Sequence, residues 1–500
     1  MSRGLPEFPL SSELTGGMNH YTYLSIGRAR AVVPPATTDD IQSIGRSNER
    51  PVIMKYLWTF VVAAVLALHP ACAFARETVT LWMWGAPPNL REALRKALVE
   101  PFEGSQSHYS LHIEYRNTVD SDVRTALMAG RGPDIVYTSG PSALTPLIKA
   151  NRILPLDGYE RRYRWNDRLL PQVLSVCQRD GHLYCMPPTL EVDGMVVNKR
   201  TLARHGWHAP TDGAALIATM RAAQRAGLYA SVGGNKGWQP VNENYASIFL
   251  NQMVAPDQMR AILEGRRGWS GKDTEAALAM SRAWYKAGFF GGKNYFSINF
   301  DQSMQLIHDG RTPFFFGPIL FLQWAPGYYG AAEDELDFLP FPRMKASQPY
   351  PLYDIGVATT LSVNADSPVK DGAAAVLNTI MSAGFMERVT QAWPGYWNIP
   401  LRRPPSMANT TGVAKTYLAV TRKINAAIAA GRYGFKLQTF APPATYDVFV
   451  KDLEAVWLDL ETPKDMLGRV DAAFQRERAR GLVLRLPPAA PTKSPTGDQK

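Results

Sequence analysis

Cysteine is scarce in this chain of 500 residues: there are three. That is too few for a disulfide scaffold or a Cys-rich zinc module. Long apolar runs are scarce too. Leu57 to Leu68 is a run of 12 residues, apolar but for Thr59 and well short of the ~20 that span a bilayer, so a polytopic membrane protein is excluded. No Gly-x-x-x-x-Gly-Lys-Ser/Thr string occurs, which excludes P-loop ATP hydrolysis, and no Gly-x-Ser-x-Gly elbow occurs. His205 and His208 flank Gly206 and read as a turn rather than a metal pair. Tyr328-Tyr329 has no assignable partner ligand, so neither a metal nor a cofactor is expected. The formal charge is +10, but the basic residues are dispersed, which leaves no nucleic-acid footprint. With 46% apolar and 20% charged residues, the balance is that of a globular protein and excludes a disordered or collagen-like chain.

What is present begins at Met54. Met-Lys-Tyr leads into LWTFVVAAVLAL, then His69-Pro70 and Ala71-Cys72-Ala73-Phe74-Ala75. One positive charge, an apolar core, a breaker and small residues describe a secretory signal peptide over 54–75, with cleavage after Ala75 or Ala73. A leader opens a chain, so Met54 is expected to be the start and 1–53 an upstream extension. Of the two remaining cysteines, Cys177 and Cys185 flank Asp180-Gly181, a strong hairpin-turn pair. Cross-strand placement and an oxidising compartment favour a disulfide between them.

Strand and helix patterns then alternate. Val79 to Trp84, Leu111 to Tyr115 and Asp134 to Thr138 read as strands. Leu90 to Phe102, Val119 to Met128 and Ala143 to Ala150 have helical spacing. Such alternation builds an open, mainly parallel sheet with helices on both faces, and ligands bind at the carboxyl ends of its strands. The pattern restarts after Pro188. Strands are expected at 194–198, 312–316, 336–340 and 356–363, and helices at 211–226, 245–253, 274–287, 415–430, 446–459 and 463–480. Ser367-Pro368 is expected to cap and open a helix over 369–382, which also explains its Ser-x-x-Lys string. Residues 487–500 are rich in Pro, Ser and Thr and read as a disordered tail.

Several blocks resemble one family, the extracellular solute-binding proteins, family 1, of bacterial ABC importers, a group that includes the maltose-binding proteins. The blocks are VTLWMWG near position 80, ALMAGRGPDIVYTSGPSALTPLIKANRILPLD at 126–157, DGHLYCMPPTLEVDGMVVNKRTLARHGW at 180–207, FFFGPILFLQW at 314–324 and DIGVATTLSVNADSPVKDGAAAVLNTIM at 354–381. The resemblance implies an α/β, two-lobed periplasmic-binding-protein fold of the class II type. Each lobe would be a central sheet flanked by helices, with the ligand in the cleft between them. It places 76–186 plus 350–402 in lobe one and 189–345 plus 405–482 in lobe two. It implies a monomeric periplasmic receptor that captures a sugar or small oligosaccharide by lobe closure, performs no reaction, and delivers it to the permease subunits of an ABC transporter.

Sugars present apolar C–H faces and a rim of hydroxyls. Aromatic faces stack on the former, and carboxylates bond the latter. The candidate ligand-binding residues follow. Trp84 ends the first strand, Ser139 and Gly140 follow the third, and Tyr353-Asp354 precede Gly356. Glu191 matches the position at the lobe crossing where maltose-binding relatives carry a sugar-contacting acid, and Asp193 lies two residues on. Trp238 sits in a Gly-rich loop expected to be too flexible for a core element. The family often has an aromatic directly after Gly-Pro, where this chain has Ile319, so Phe321 or Trp324 would substitute. Trp393, Tyr396 and Trp397 form a dense aromatic loop that suits ligand contact or a packed hinge cover. Two other readings stay open: a receptor for a charged solute (a polyamine or a glycerophosphodiester), and a secreted carbohydrate-active enzyme with paired carboxylates.

Overall fold

A computed structural model describes residues 76–329, 335–406 and 408–487. The leader, the upstream extension and the tail beyond residue 487 lie outside the described residues.

Eleven strands are described: β1 (Glu77–Trp84), β2 (Tyr109–Arg116), β3 (Ile135–Thr138), β4 (Gln178–Arg179), β5 (His182–Leu183), β6 (Met186–Glu191), β7 (Asp193–Asn198), β8 (Phe314–Pro318), β9 (Leu336–Leu339), β10 (Tyr353–Val363) and β11 (Tyr433–Phe435). The first sheet runs β11-β10-β3-β1-β2, with β6 also paired to β10. In β1, Val79, Leu81 and Met83 are buried while the alternate residues are partly exposed, the period of a half-covered strand. All of β3 is buried, as is nearly all of β10, as expected for strands covered on both faces.

The expected parallel arrangement holds for β1 with β2 and β3. It fails at β10, which runs antiparallel to β3 and β6. The reason is connectivity: parallel neighbours need a crossover of a dozen or more residues, usually a helix. Here β10 instead follows β9, a strand of the second sheet. That sheet is wholly antiparallel, in the order β8-β7-β9. A single residue, Val192, separates β6 of the first sheet from β7 of the second.

Helices cover these sheets. Helix α1 (Val119–Met128) occupies the expected span and buries Val123 and Leu127. Helix α2 (Pro141–Lys149) follows β3. Helix α3 (Val241–Met253) is buried along all 13 residues, polar ones included. Helix α4 (Pro443–Trp457) packs beside it. The helix over Gly213–Arg225 is capped as expected, with Asp212 Oδ1 accepting from the Ala215 N–H at 2.8 Å. Ser367 behaves differently. Its hydroxyl donates to Asp134 Oδ1 at 2.7 Å and accepts from the Val369 N–H, and the helix begins later, over Lys370–Ile380. Asp134 also accepts from Thr80, so Ser367 joins a strand-to-helix tie rather than capping the helix.

The β4–β5 hairpin turns at Asp180 (φ 51°) and Gly181 (φ 87°), the paired positive φ of a type I′ turn. Cys177 and Cys185 are disulfide-bonded across it, with their Cα atoms 5.1 Å apart. Arg179 of the hairpin donates to the Val483 and Gly481 carbonyls, both at 2.7 Å, and so holds the chain segment that follows the last helix. Among the described residues no helix is long and apolar enough to cross a membrane.

Candidate functional site

The two sheets meet at the β6–β7 crossing, and four carboxyls converge there on one ammonium. Glu191 ends β6, Asp193 opens β7, Asp354 is the second residue of β10, and Glu243 lies in the first turn of α3. Lys436 follows β11 directly. All five are nearly inaccessible to solvent, between 0 and 4% exposed. Lys436 Nζ donates to Asp193 Oδ1 and Oδ2 at 2.8 and 2.7 Å and to Asn244 Oδ1 at 2.7 Å. Glu191 Oε1 and Glu243 Oε2 stand 3.9 and 3.8 Å from it. Asp354 Oδ1 accepts from the Asp193 backbone N–H at 2.6 Å.

The local sequence accounts for this placement. Gly356 pairs with Glu191 across β10 and β6, and a Cβ there would sit 2.6 Å from Lys436 Cδ. Glycine is therefore what lets the lysine stem lie against the strand. Gly434 clears space for Asn251, whose amide accepts from the Phe435 N–H and donates to the Phe435 carbonyl, both at 2.9 Å. This clamp fixes the residue before Lys436.

Electrostatics follow from burial. Desolvation pushes the Glu191 carboxyl up to about 7; Lys436 opposes that shift, while Glu243 and Asp354 add to it. Asp193 is likewise raised by burial and by Asp354, against the pull of Lys436. Glu243 is raised by burial and eased by Lys436 and its Ser247 hydrogen bond. Burial alone would discharge Lys436, but the surrounding carboxyls outweigh it and hold the ammonium charged. Tyr446 of α4 borders the cluster; burial raises its hydroxyl, and the Glu243 and Glu191 carboxyls raise it further. Three polar atoms in the cluster have no hydrogen-bond partner: Glu191 Oε2, Asp354 Oδ2 and Asn244 Nδ2.

Aromatic side chains form two further groups. Trp84 lies 5.9 and 5.6 Å from the Trp393 and Tyr396 rings, and Trp397 closes that group. Trp238 lies 5.0 Å from Phe300, which stacks on Trp324 at 5.6 Å, with Phe321 between them. The two groups touch where Trp393 Nε1 donates to Gln323 Oε1 at 2.8 Å.

Of the residues expected from sequence, Glu191, Asp193 and Asp354 are thus brought together, and Trp84, Trp238 and Trp324 keep a partly exposed face. The loop carrying Trp238 is not flexible as expected. A Cβ at Gly234 would lie 2.4 Å from the Tyr295 and Ile298 carbonyl oxygens, and Asn235 and Lys236 bond those same carbonyls. Ile319 is wholly buried, as is Phe321, which leaves Trp324 as the accessible indole of its segment. Tyr353, Trp393 and Trp397 are interior, at most 2% exposed, and pack as core. Tyr396 is buried and its hydroxyl meets Thr359 Oγ1 at 3.0 Å. Ser139 commits its N–H and hydroxyl to Asp120. Gly140 (φ 91°) lies against the Val357 carbonyl, with no room for a side chain. Sequence reasoning missed Glu243, Asn244, Lys436 and Tyr446.

A surface hollow of about 530 Å³ lies apart from the cluster, lined by Trp82, Arg116, Asp122 and Arg131 among others. Arg116 stacks 3.5 Å over Trp82 and pairs with Glu114, so its charge is already engaged.

Comparison with known proteins agrees with this architecture. A protein solved in a study of xylan utilization by the thermophilic bacterium Caldanaerobius polysaccharolyticus superposes with a TM-score of 0.65 at 16% identity, covering 79% of this chain and 99% of that one. A Bacillus licheniformis sugar transporter in complex with stachyose gives 0.60 at 16%, covering 80% and 99%. An ABC transporter solute-binding protein from Thermotoga lettingae bound with α-D-tagatose gives 0.63 at 15%, covering 80% and 99%. None of the curated proteins matches. The fold is therefore the expected two-lobed α/β one. Residues 88–387, more than half of the chain, match the family described as bacterial extracellular solute-binding protein, and the chain belongs to that family.

Proposed function

We propose that this protein is the substrate-binding component of an ABC importer, capturing a sugar or small oligosaccharide and passing it to the permease without reacting with it. The observation that carries this reading is the carboxylate cluster at the β6–β7 crossing, and the chain also presents the partly exposed indoles Trp84, Trp238 and Trp324. Carboxylates accept from hydroxyls, and indoles cover C–H faces. The sugars bound to structural relatives, stachyose and α-D-tagatose, support the same ligand class.

On this reading the lobes are 76–186 plus 350–402 and 189–345 plus 405–482. The chain first crosses between them at 187–188, and 54–75 directs export to the periplasm, where the protein works as a monomer. Closure of the lobes buries the ligand, and the closed shape is what the permease reads. A glycerophosphodiester is disfavoured, because four carboxyls would repel its phosphate.

Calorimetry over mono-, di- and trisaccharides, with product analysis and small-angle scattering, tests the proposal. The expected result is saturable binding, a smaller radius of gyration in the complex, and an unaltered sugar. Consumption of a sugar would make the protein an enzyme. No binding across the panel would remove the saccharide reading.

A further inference from the structure

The crossing holds more acids than cations. Four buried carboxyls face one lysine. Uncompensated buried carboxylates cost several kcal/mol each, and a neutral hydroxyl can bond them without cancelling their charge. The unpartnered acceptors, Glu191 Oε2 and Asp354 Oδ2, approach from β6 and β10, and Asn244 Nδ2 is an unpartnered donor from α3. Lys436 is held by hydrogen bonds to Asp193 and Asn244, and its stem is wedged against Gly356. It therefore cannot serve every acid at once.

We infer that the missing partner is an ammonium carried by the ligand, and that the saccharide taken here is an amino sugar or amino-oligosaccharide. This rests on the saccharide reading above. The ammonium donates to Glu191 Oε2 and Asp354 Oδ2, Asn244 Nδ2 donates to a neighbouring ligand oxygen, and the partly exposed indoles cover the sugar faces.

The groups facing the ammonium are Glu191 from β6, Asp193 from β7, Glu243 and Asn244 from α3, Asp354 from β10, Lys436 after β11 and Tyr446 from α4. Burial holds part of this acid set protonated near neutral pH, Glu191 at about 7. An arriving cation favours the ionised carboxylate, so binding releases protons. Affinity rises as the pH climbs through that range, until the ligand amine loses its own proton.

The test is calorimetry on the native protein with the β-1,4-linked glucosamine disaccharide, its N-acetylated form, cellobiose and spermidine, at pH 6 and pH 8 and in two buffers of different ionisation heat. The free amine disaccharide is expected to bind about tenfold or more tighter than cellobiose, as one added charge-assisted hydrogen bond gives. Proton release is expected for the amine at pH 6, where it arrives charged and Glu191 is still protonated, and not for cellobiose, and Glu191→Gln is expected to erase most of the preference. Cellobiose or the N-acetylated form binding as tightly as the amine would overturn the inference and leave the saccharide reading intact. Spermidine binding alone would keep the ammonium and remove the saccharide. No binding of any probe would remove both. An unchanged preference in a folded Glu191→Gln variant would remove Glu191 from the ammonium site.

Discussion

Two regions of this protein are equally buried and differ in everything else. The loop bearing Trp393, Tyr396 and Trp397 is apolar and closely packed: Trp393 stacks on Tyr396 at 5.1 Å, Trp397 meets both rings edge-on at 5.9 and 5.1 Å, Trp393 Nε1 and the Tyr396 hydroxyl have partners, and Trp397 Nε1 has none. The cluster around Lys436 is polar and unfinished, with two acceptors and one donor left without partners. Low exposure alone would rank them alike. Charge separates them: the loop leaves a neutral indole N–H unpaired, whereas the crossing gathers four buried carboxyls around one lysine, and an unpaired buried group costs about 1–3 kcal/mol, more when it is charged. The aromatic loop thus packs as core, and the charged crossing carries the larger electrostatic cost, which is why the proposed ligand is placed there.

The largest predicted effect tests the first half of that contrast. Trp393→Ala removes a wholly buried indole and is expected to destabilise the fold by about 3–5 kcal/mol, read by urea unfolding. A loss under ~1 kcal/mol would show that the loop is not core, and the comparison would fail on that side. The next effect tests the second half. Glu191 titrates near 7 in the folded protein against an ordinary value of 4.5, so the folded state holds a proton that the unfolded state has released across that window. Stability therefore falls as pH rises from about 4.5 to about 7, by up to ~3 kcal/mol from this group. Glu191→Gln should lessen this slope and make the variant relatively more stable at pH 8 than at pH 5. Parallel stability curves for the two proteins would break the electrostatic account.

The same two regions mark what could be read in the sequence. The aromatic loop announced itself as Trp-Pro-Gly-Tyr-Trp, but composition could not say whether those rings face a ligand or each other; only the Gln323 contact and the edge-on packing of Phe385 against Trp397 decide it. Half of the polar cluster was legible. Glu191, Asp193 and Asp354 lie at strand ends, where α/β sheets present ligands, and a resemblance pointed to the first. Lys436 was not legible. It follows a three-residue strand with no period to detect, and its partners are distant in sequence: it meets Asp193 across 243 residues. Glu243 and Asn244 sit in the first turn of a helix, where polar residues ordinarily serve the helix end itself. Their signal was indirect: α3 has no polar face to turn toward water. The antiparallel entry of β10 escaped for a related reason, since strand period says nothing of direction.

A third region stabilises the fold by neither packing nor charge, and so sharpens the comparison from outside. The Cys177–Cys185 bridge closes a short loop around a type I′ turn. Chain-entropy reasoning gives about 2–3 kcal/mol for such a loop. The paired Cys177→Ser, Cys185→Ser variant should unfold at correspondingly lower urea with the pH slope unchanged. A changed slope would mean that the hairpin and the charged crossing are coupled, and the regions would not be independent.

The smallest effect is the most discriminating, because it sets one indole against another. Trp238 and Trp393 are the same side chain, and both sit among aromatic neighbours. Trp393 is enclosed and hydrogen-bonded, whereas Trp238, packed on Phe300 and Phe321, keeps an open face. Trp238→Leu retains the apolar bulk that touches Phe300 and removes the flat face. Its cost to stability should stay within about 1.5 kcal/mol, as for a roughly size-tolerant apolar exchange. Its cost to saccharide binding should be about 0.5–1.5 kcal/mol, the range of an aromatic stacking contact, and is read by calorimetry on the folded variant. The two Trp variants then behave as opposites, one losing fold and the other losing affinity. If Trp238→Leu binds saccharide unchanged, the exposed indole is only the rim of its own cluster, and recognition rests on the carboxylates alone.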